Sequence, residues 1–115
     1  MKLMTKTLEA RFAKIGSQEA KDDPIVVAKF FNPAGSGTWF ATEYDPKSRI
    51  FFGDVSIFGD HCDEWGYFSL DELESVRCPV TIQMGDKLYR LTIKIERDLY
   101  FTEKPFSEAL EEFKR

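Results

Sequence analysis

Residues Val80 to Ile95 admit one antiparallel pairing, and that pairing constrains the fold more than any other stretch of the chain. A two-residue turn at Gly85-Asp86 pairs Met84 with Lys87, Ile82 with Tyr89 and Val80 with Leu91. A Gly at the first of two turn positions suits the tight hairpin turns whose twist matches that of strands. The same register puts Val80, Ile82, Tyr89, Leu91, Ile93 and Ile95 on one face, so turn chemistry and alternation select the same hairpin.

The segments before it read as a meander. Ile25 to Phe31 is almost continuously apolar and is expected as a central strand. Thr38 to Tyr44 alternates, with Trp39, Ala41 and Glu43 on one face and Phe40, Thr42 and Tyr44 on the other. Asp45-Pro46-Lys47-Ser48 fits a type I turn, with Asp first and Pro second, leading into a third strand over Arg49 to Ile57. Gly59 to Gly66 reads as a loop.

Three helices complete the pattern. Leu8, Phe12 and Ile15 share one face of a helix over Thr5 to Ile15, with Thr5 as its cap and Gly16 as its stop. Ser69-Leu-Asp-Glu72 is a capping box that opens a short helix, which Pro79 prevents from continuing. Phe106, Leu110 and Phe113 share a face of a final helix over Pro105 to Lys114. The expected fold is therefore α+β: an antiparallel sheet of about five strands, meander plus C-terminal hairpin, with N-terminal, central and C-terminal helices.

At 115 residues the chain has enough length for one core and too little for two comfortable ones, so residues 1–115 are expected as a single domain. Its formal charge of −4 disfavours nonspecific duplex binding, which needs a basic surface. No apolar run approaches the ~20 residues of a membrane span, so no membrane partner is expected. Met1-Lys-Leu-Met-Thr-Lys6 lacks the apolar stretch of an export signal. A cytoplasmic location with reduced cysteines follows as an expectation.

Several clusters could carry chemistry. Asp60-His61-Cys62-Asp63-Glu64 holds metal-ligand types, yet adjacent residues cannot all point inward and the chain has 1 His. Cys62 and Cys78 lack redox spacing, and His61 is too close in sequence to Cys62 to serve it as a base. No catalytic residue, metal or cofactor is therefore assigned. Glu43, Asp45, Asp54, Glu96 and Asp98 are candidate paired carboxylates for hydrolysis or Mg²⁺. Glu43 stands out because it shares a strand face with apolar residues, where a carboxylate needs a partner; Arg97 or Arg49 is the expected one. Trp39, Phe40, Tyr44, Phe51, Phe52, Tyr67 and Phe68 could instead form a stacking platform for single strands, although only Lys29, Lys47 and Arg49 neighbour them.

Four segments in order resemble the domain of unknown function 2958 family. They are Asp23-Pro-Ile-Val-Val-Ala-Lys-Phe-Phe31, Thr38-Trp-Phe-Ala-Thr-Glu-Tyr-Asp-Pro46, Gly66-Tyr-Phe-Ser-Leu-Asp-Glu-Leu-Glu-Ser-Val-Arg77 and Ile95-Glu-Arg-Asp-Leu-Tyr-Phe101. The resemblance implies a small bacterial product of plasmids, conjugative elements or phages, and carries no activity, cofactor or catalytic residue. It also implies a short link between the Glu-Leu-Glu-Ser-Val-Arg helix and the Glu-Arg-Asp segment, where this chain inserts Cys78 to Ile95.

The functional expectation is a non-enzymatic accessory or interaction module whose partner is another protein, one version being an inhibitor of host defence. Its binding residues are expected among Trp39, Glu43, Glu64, Tyr67, Asp71, Glu72, Glu74 and Arg97, with Glu64, Tyr67, Asp71, Glu72 and Glu74 as the partner surface. The alternatives are a single-strand binder using the aromatic face and a small carboxylate- or metal-dependent enzyme.

Overall fold

The computed structural model describes residues 2–57 and 64–114. Thr5 caps α1 (Lys6–Ile15), its hydroxyl accepting the Leu8 N–H at 3.1 Å. That contact satisfies one of the first-turn donors a helix leaves without an internal partner. Gly16 ends α1 at φ 66°, donating its N–H to the Phe12 carbonyl at 3.0 Å. Leu8, Phe12 and Ile15 pack onto the main core, as their spacing predicts.

The run read as one strand is divided into β1 (Ile25–Val26) and β2 (Ala28–Phe31). β1 pairs with β9 (Lys104–Pro105) as a separate two-stranded piece. β2 pairs with β3 (Thr38–Asp45), which pairs with β4 (Ile50–Ser56). The β3–β4 turn is one residue longer than a type I turn: Arg49 sits at φ 60° and donates its N–H to the Asp45 carbonyl at 2.8 Å. The Asp45 carboxylate braces the turn by accepting the Ser48 hydroxyl at 2.8 Å and the Lys47 N–H at 3.1 Å.

β5 (Glu64–Ser69) corrects the reading of Gly59 to Gly66 as a loop. It pairs antiparallel with β4 along its whole length, Asp54 opposite Trp65 and Phe52 opposite Tyr67. Gly66 interrupts the alternation of large side chains that would have revealed it. Residues 59–63 of that expected loop lie outside the described residues. Ser69 then caps α2 (Leu70–Ser75), accepting the Glu72 N–H at 3.2 Å, and Leu70 and Leu73 are buried.

The hairpin forms in the expected register as β6 (Cys78–Met84) and β7 (Lys87–Ile93). It does not join the main sheet. The fifth strand there is β8 (Glu96–Arg97), which pairs with β2 and gives the order β5-β4-β3-β2-β8. Ile95, expected on the hairpin face, turns into the main core instead. The α+β class and the five-stranded antiparallel sheet hold, with the hairpin as a sheet of its own.

Both faces of the main sheet are covered. On one, Phe51 is the hub: it touches Phe12, Phe30, Tyr44 and Phe68 at ring-centroid distances of 5.8, 5.2, 4.8 and 5.2 Å. On the other, α3 (Phe106–Lys114) sets Phe106 and Phe113 edge-on against Phe40 at 5.9 and 5.7 Å. Burying side chains of this size contributes about 1.5–3 kcal/mol each, which lets a short chain build a sufficient core.

A bulge decides which side chains reach which face. Ala41 pairs with Gly53, but Glu43 pairs with Phe52, so Thr42 is the extra residue in β3. One extra residue reverses the alternation beyond it. Glu43 therefore joins the Phe40 side and Tyr44 joins Trp39 and Ala41, which corrects the faces read from simple alternation. Two groups hold the bulge. The Thr42 hydroxyl donates to the Phe52 carbonyl at 3.1 Å, and the buried Gln18 side chain donates to the Thr42 carbonyl at 2.7 Å. Gly53 is required opposite it, because a Cβ there would overlap the Phe40 carbonyl.

Candidate functional site

The bulge places Glu43 on the floor of a cleft of about 430 Å³ between the sheet and the loop after α1. The walls are aromatic. Trp65 meets Phe106 at 4.7 Å and 65°, and stacks near Phe52 at 6.0 Å. Phe52 in turn meets Tyr67 edge-on at 5.1 Å. Trp65 in the wall remains 42% exposed and Tyr67 beside it 76%, so this side of the cleft is open to solvent.

Local chemistry fixes each wall. Gln18 ties the loop after α1 to the sheet: its amide donates to the Ile25 carbonyl at 2.9 Å and accepts the Ile25 N–H at 2.7 Å, besides reaching Thr42. The Asp23 carboxylate accepts the Ser107 hydroxyl at 2.6 Å and the Ser107 N–H at 2.9 Å, and the Phe106 N–H donates to the Pro24 carbonyl at 2.8 Å. These bonds seat the start of α3 and so position Phe106 beside Trp65. The Ser107 hydroxyl, then its N–H, hold the Asp23 carboxyl below the usual carboxylate range.

The rim is acidic. Glu19 and Asp22 line it with Lys21, and Glu43 adds a third carboxylate from the floor. Glu43 is half-buried, and among the described residues no cation or hydrogen-bond donor reaches its carboxylate. The ion pair expected with Arg49 or Arg97 is not formed. Arg49 instead binds Asp71 and Glu74, both at 2.7 Å. Arg97 pairs opposite Phe30 on the α1 side of the sheet, where it lines a small cavity with Leu8 and Asp98.

The other expected binding residues are dispersed. Trp39 packs against the α1-side core, and Glu64 is exposed at the start of β5. Asp71 and Glu74 are engaged by Arg49 on the α1 side, and Glu72 is exposed in the first turn of α2. Of the five residues expected to form a partner surface, Tyr67 lies on the cleft side while Asp71 and Glu74 lie across the sheet from it. The expected aromatic platform is divided as well: Phe40, Phe51 and Phe68 are buried, and Trp39 and Tyr44 pack on the core. Phe52 and Tyr67 remain, joined by Trp65 and Phe106.

Asp54, another candidate carboxylate, is fully buried in the cross-strand row between Phe40 and Trp65. The Asp60-His61-Cys62-Asp63 cluster lies outside the described residues. Among the described residues no three His, Cys, Asp or Glu side chains converge to hold a metal ion. Cys78 is a free thiol, its sulfur accepting from the Asn32 amide at 3.5 Å. No described helix is long and apolar enough to cross a membrane.

No curated protein and no solved structure matches the chain. One family model, described as protein of unknown function (DUF2958), matches residues 3–114 and so takes in the sheet, all three helices and the hairpin. With nearly the whole length matched, the chain belongs to the DUF2958 family.

Proposed function

We propose that the protein is a non-enzymatic interaction module that takes a cationic, partly apolar protein segment in the cleft walled by Phe52, Trp65 and Phe106, with Tyr67 exposed beside it. Its role is that of an accessory product of a plasmid, conjugative element or phage. The observation that carries the reading is Glu43, a half-buried carboxylate without a partner among the described residues, set beside exposed aromatic faces. A carboxylate drawn partly out of water is stabilised by an arriving cation more strongly than one on an open surface. Aromatic faces attract the same cation, and Trp and Tyr are the side chains on which binding energy concentrates. A nucleic-acid strand would bring phosphates to Glu19, Asp22 and Glu43, so the cleft supports the single-strand reading less well.

The test is a titration of an Arg- and Lys-rich peptide, followed by tryptophan fluorescence. Binding is expected to weaken about tenfold, roughly 1.4 kcal/mol, in Glu43→Gln, and by at least as much in Trp65→Ala. Equal affinity of Glu43→Gln and the unaltered chain, or equal binding of an acidic peptide, would overturn the proposal.

A further inference from the structure

The ribbon formed by β6 and β7 stands outside both cores. Its register puts Val80, Ile82, Met84, Tyr89, Leu91 and Ile93 on one face, ended by Lys87 near the tip. Ile82, Tyr89 and Leu91 are between 40% and 46% exposed, and Met84 67%. Thr81, Gln83, Arg90 and Thr92 take the opposite face, together with Pro79 and Leu88, the last 68% exposed. An isolated two-stranded hairpin is marginal in water, and an apolar face of this extent marks a contact surface.

Charge identifies the contact. Residues 77–94 hold Arg77, Lys87, Arg90 and Lys94 against Asp86 alone, a formal +3, while the chain as a whole is at −4. The remainder is therefore at −7. The basic, apolar segment that the cleft calls for is present in the chain itself, displayed away from an acidic body. The landing site is also present. β5 is an outer strand of the main sheet, with no strand partner on its far side among the described residues. It carries Trp65 and Tyr67 on the cleft side.

We infer that the ribbon of a second copy of this chain docks along β5, pairing backbone to backbone and placing its apolar face beside Trp65 and Tyr67. The inference rests on the proposed role of the cleft wall as a binding surface. Strand addition at an open edge supplies main-chain hydrogen bonds, and side chains on alternate positions supply the specificity. With the apolar face on the cleft side, Arg90 faces the side of the sheet where Asp71, Glu72 and Glu74 of α2 lie, and Lys87 approaches the acidic cleft. The ribbon is 7 residues long, about 23 Å, so a single contact falls short of the ~800 Å² per partner typical of a stable complex. Two reciprocal contacts double the area and close the assembly as a two-fold pair.

Sedimentation velocity on the full chain at about 100 μM tests this, first at ~0.05 M salt and then at ~0.5 M. The unaltered chain is expected as a dimer that dissociates at least tenfold more readily at the higher salt. Leu91→Asp on the ribbon and Tyr67→Asp on β5 are each expected to sediment as monomers, with unchanged far-ultraviolet circular dichroism. An equimolar mixture of the two restores one intact contact of the two that close the pair, so it is expected to associate more readily than either variant alone and at least tenfold more weakly than the unaltered chain. A monomeric unaltered chain overturns the inference, and so does a salt-independent dimer, which requires no misfolding control. A Tyr67→Asp chain that still dimerises by itself also overturns it, in favour of ribbon-to-ribbon contact. If the unaltered chain is monomeric yet binds the basic peptide, self-docking alone falls; if it does neither, the role of the cleft falls with it.

Discussion

The β3–β4 hairpin and the β6–β7 hairpin obey the same local rules and meet different fates. Each alternates large apolar side chains with others across a short polar turn, and each turn has one residue at positive φ, Arg49 in the first and Gly85 in the second. The first hairpin is covered on both faces, by α1 around Phe51 and by α3 around Phe40. The second presents Met84 and Leu88, on opposite faces, at 67% and 68% exposure. Register is a local property, fixed by turn and alternation. Cover is not local: it depends on helices from either end of the chain folding back over the sheet. The difference teaches that an apolar strand face read from sequence predicts a contact without predicting that the contact lies within the same molecule.

The sharpest test of the contrast substitutes glycine in each hairpin. Gly53→Ala is expected to cost more than about 4 kcal/mol in urea unfolding, because its Cβ meets the Phe40 backbone, which cannot move without losing the bulge. Gly85→Ala meets open space and is strained only by its φ of 64°, so about 1–2 kcal/mol is expected. Equal costs would mean that the bulge at Thr42 is not a fixed feature of the sheet.

Next in size is a comparison of the two apolar faces. Phe51→Ala removes the hub of the main core and is expected to cost about 3–5 kcal/mol. Leu91→Ala, measured at about 1 μM to keep the chain apart from other copies, is expected to change stability by no more than about 0.5 kcal/mol. A large loss at Leu91 would break the comparison, since it would show the ribbon face covered within one chain.

A third test sharpens what covers the main sheet. Gln18→Leu keeps the volume and removes three hydrogen bonds, leaving the Ile25 amide and the Ile25 and Thr42 carbonyls without that partner. A loss of about 2–4 kcal/mol is expected from these buried and partly buried groups, together with weaker peptide binding as Glu43 loses its fixed position. Stability held with binding lost would make Gln18 important to the cleft alone.

The hairpins, the caps at Thr5 and Ser69 and the inward faces of α1 and α3 were legible in the sequence because each rests on neighbours within a few residues. Thr42 was not: an extra residue in a strand leaves the composition unchanged, and only pairing with β4 reveals it. That single insertion moved Glu43 to the opposite face, so the residue was legible as a candidate while its surroundings were not. Tyr67 was legible for its aromatic character, whereas Trp65 was hidden in a segment that Gly66 made resemble a loop. Gln18 gave no signal, since a glutamine in a polar connection looks solvated until three backbone groups are found around it. Phe106 was read as helix packing, which it is, but its second role as a cleft wall depends on β5.

The smallest expected effect concerns how α3 is held over the sheet, a tether the ribbon lacks. Hydrogen bonds from Ser107 depress the Asp23 carboxyl in the folded chain relative to the unfolded one. A depressed carboxyl stabilises the fold fully above its unfolded value, about 3.9, and loses that contribution as pH falls through the lower folded value. Asp45, held down by Ser48 and Lys47, acts in the same direction. The thermal midpoint is therefore expected to fall below about pH 4, and Asp23→Asn is expected to make that fall shallower, the two midpoints converging once the pH lies below the depressed folded value. Because Asp23 positions Phe106 through Ser107, the same substitution is expected to weaken peptide binding at neutral pH, where Asp23 is charged in the unaltered chain. An unchanged affinity would show that packing against Phe40 alone seats Phe106, and that the start of α3 needs no tether to form the cleft wall.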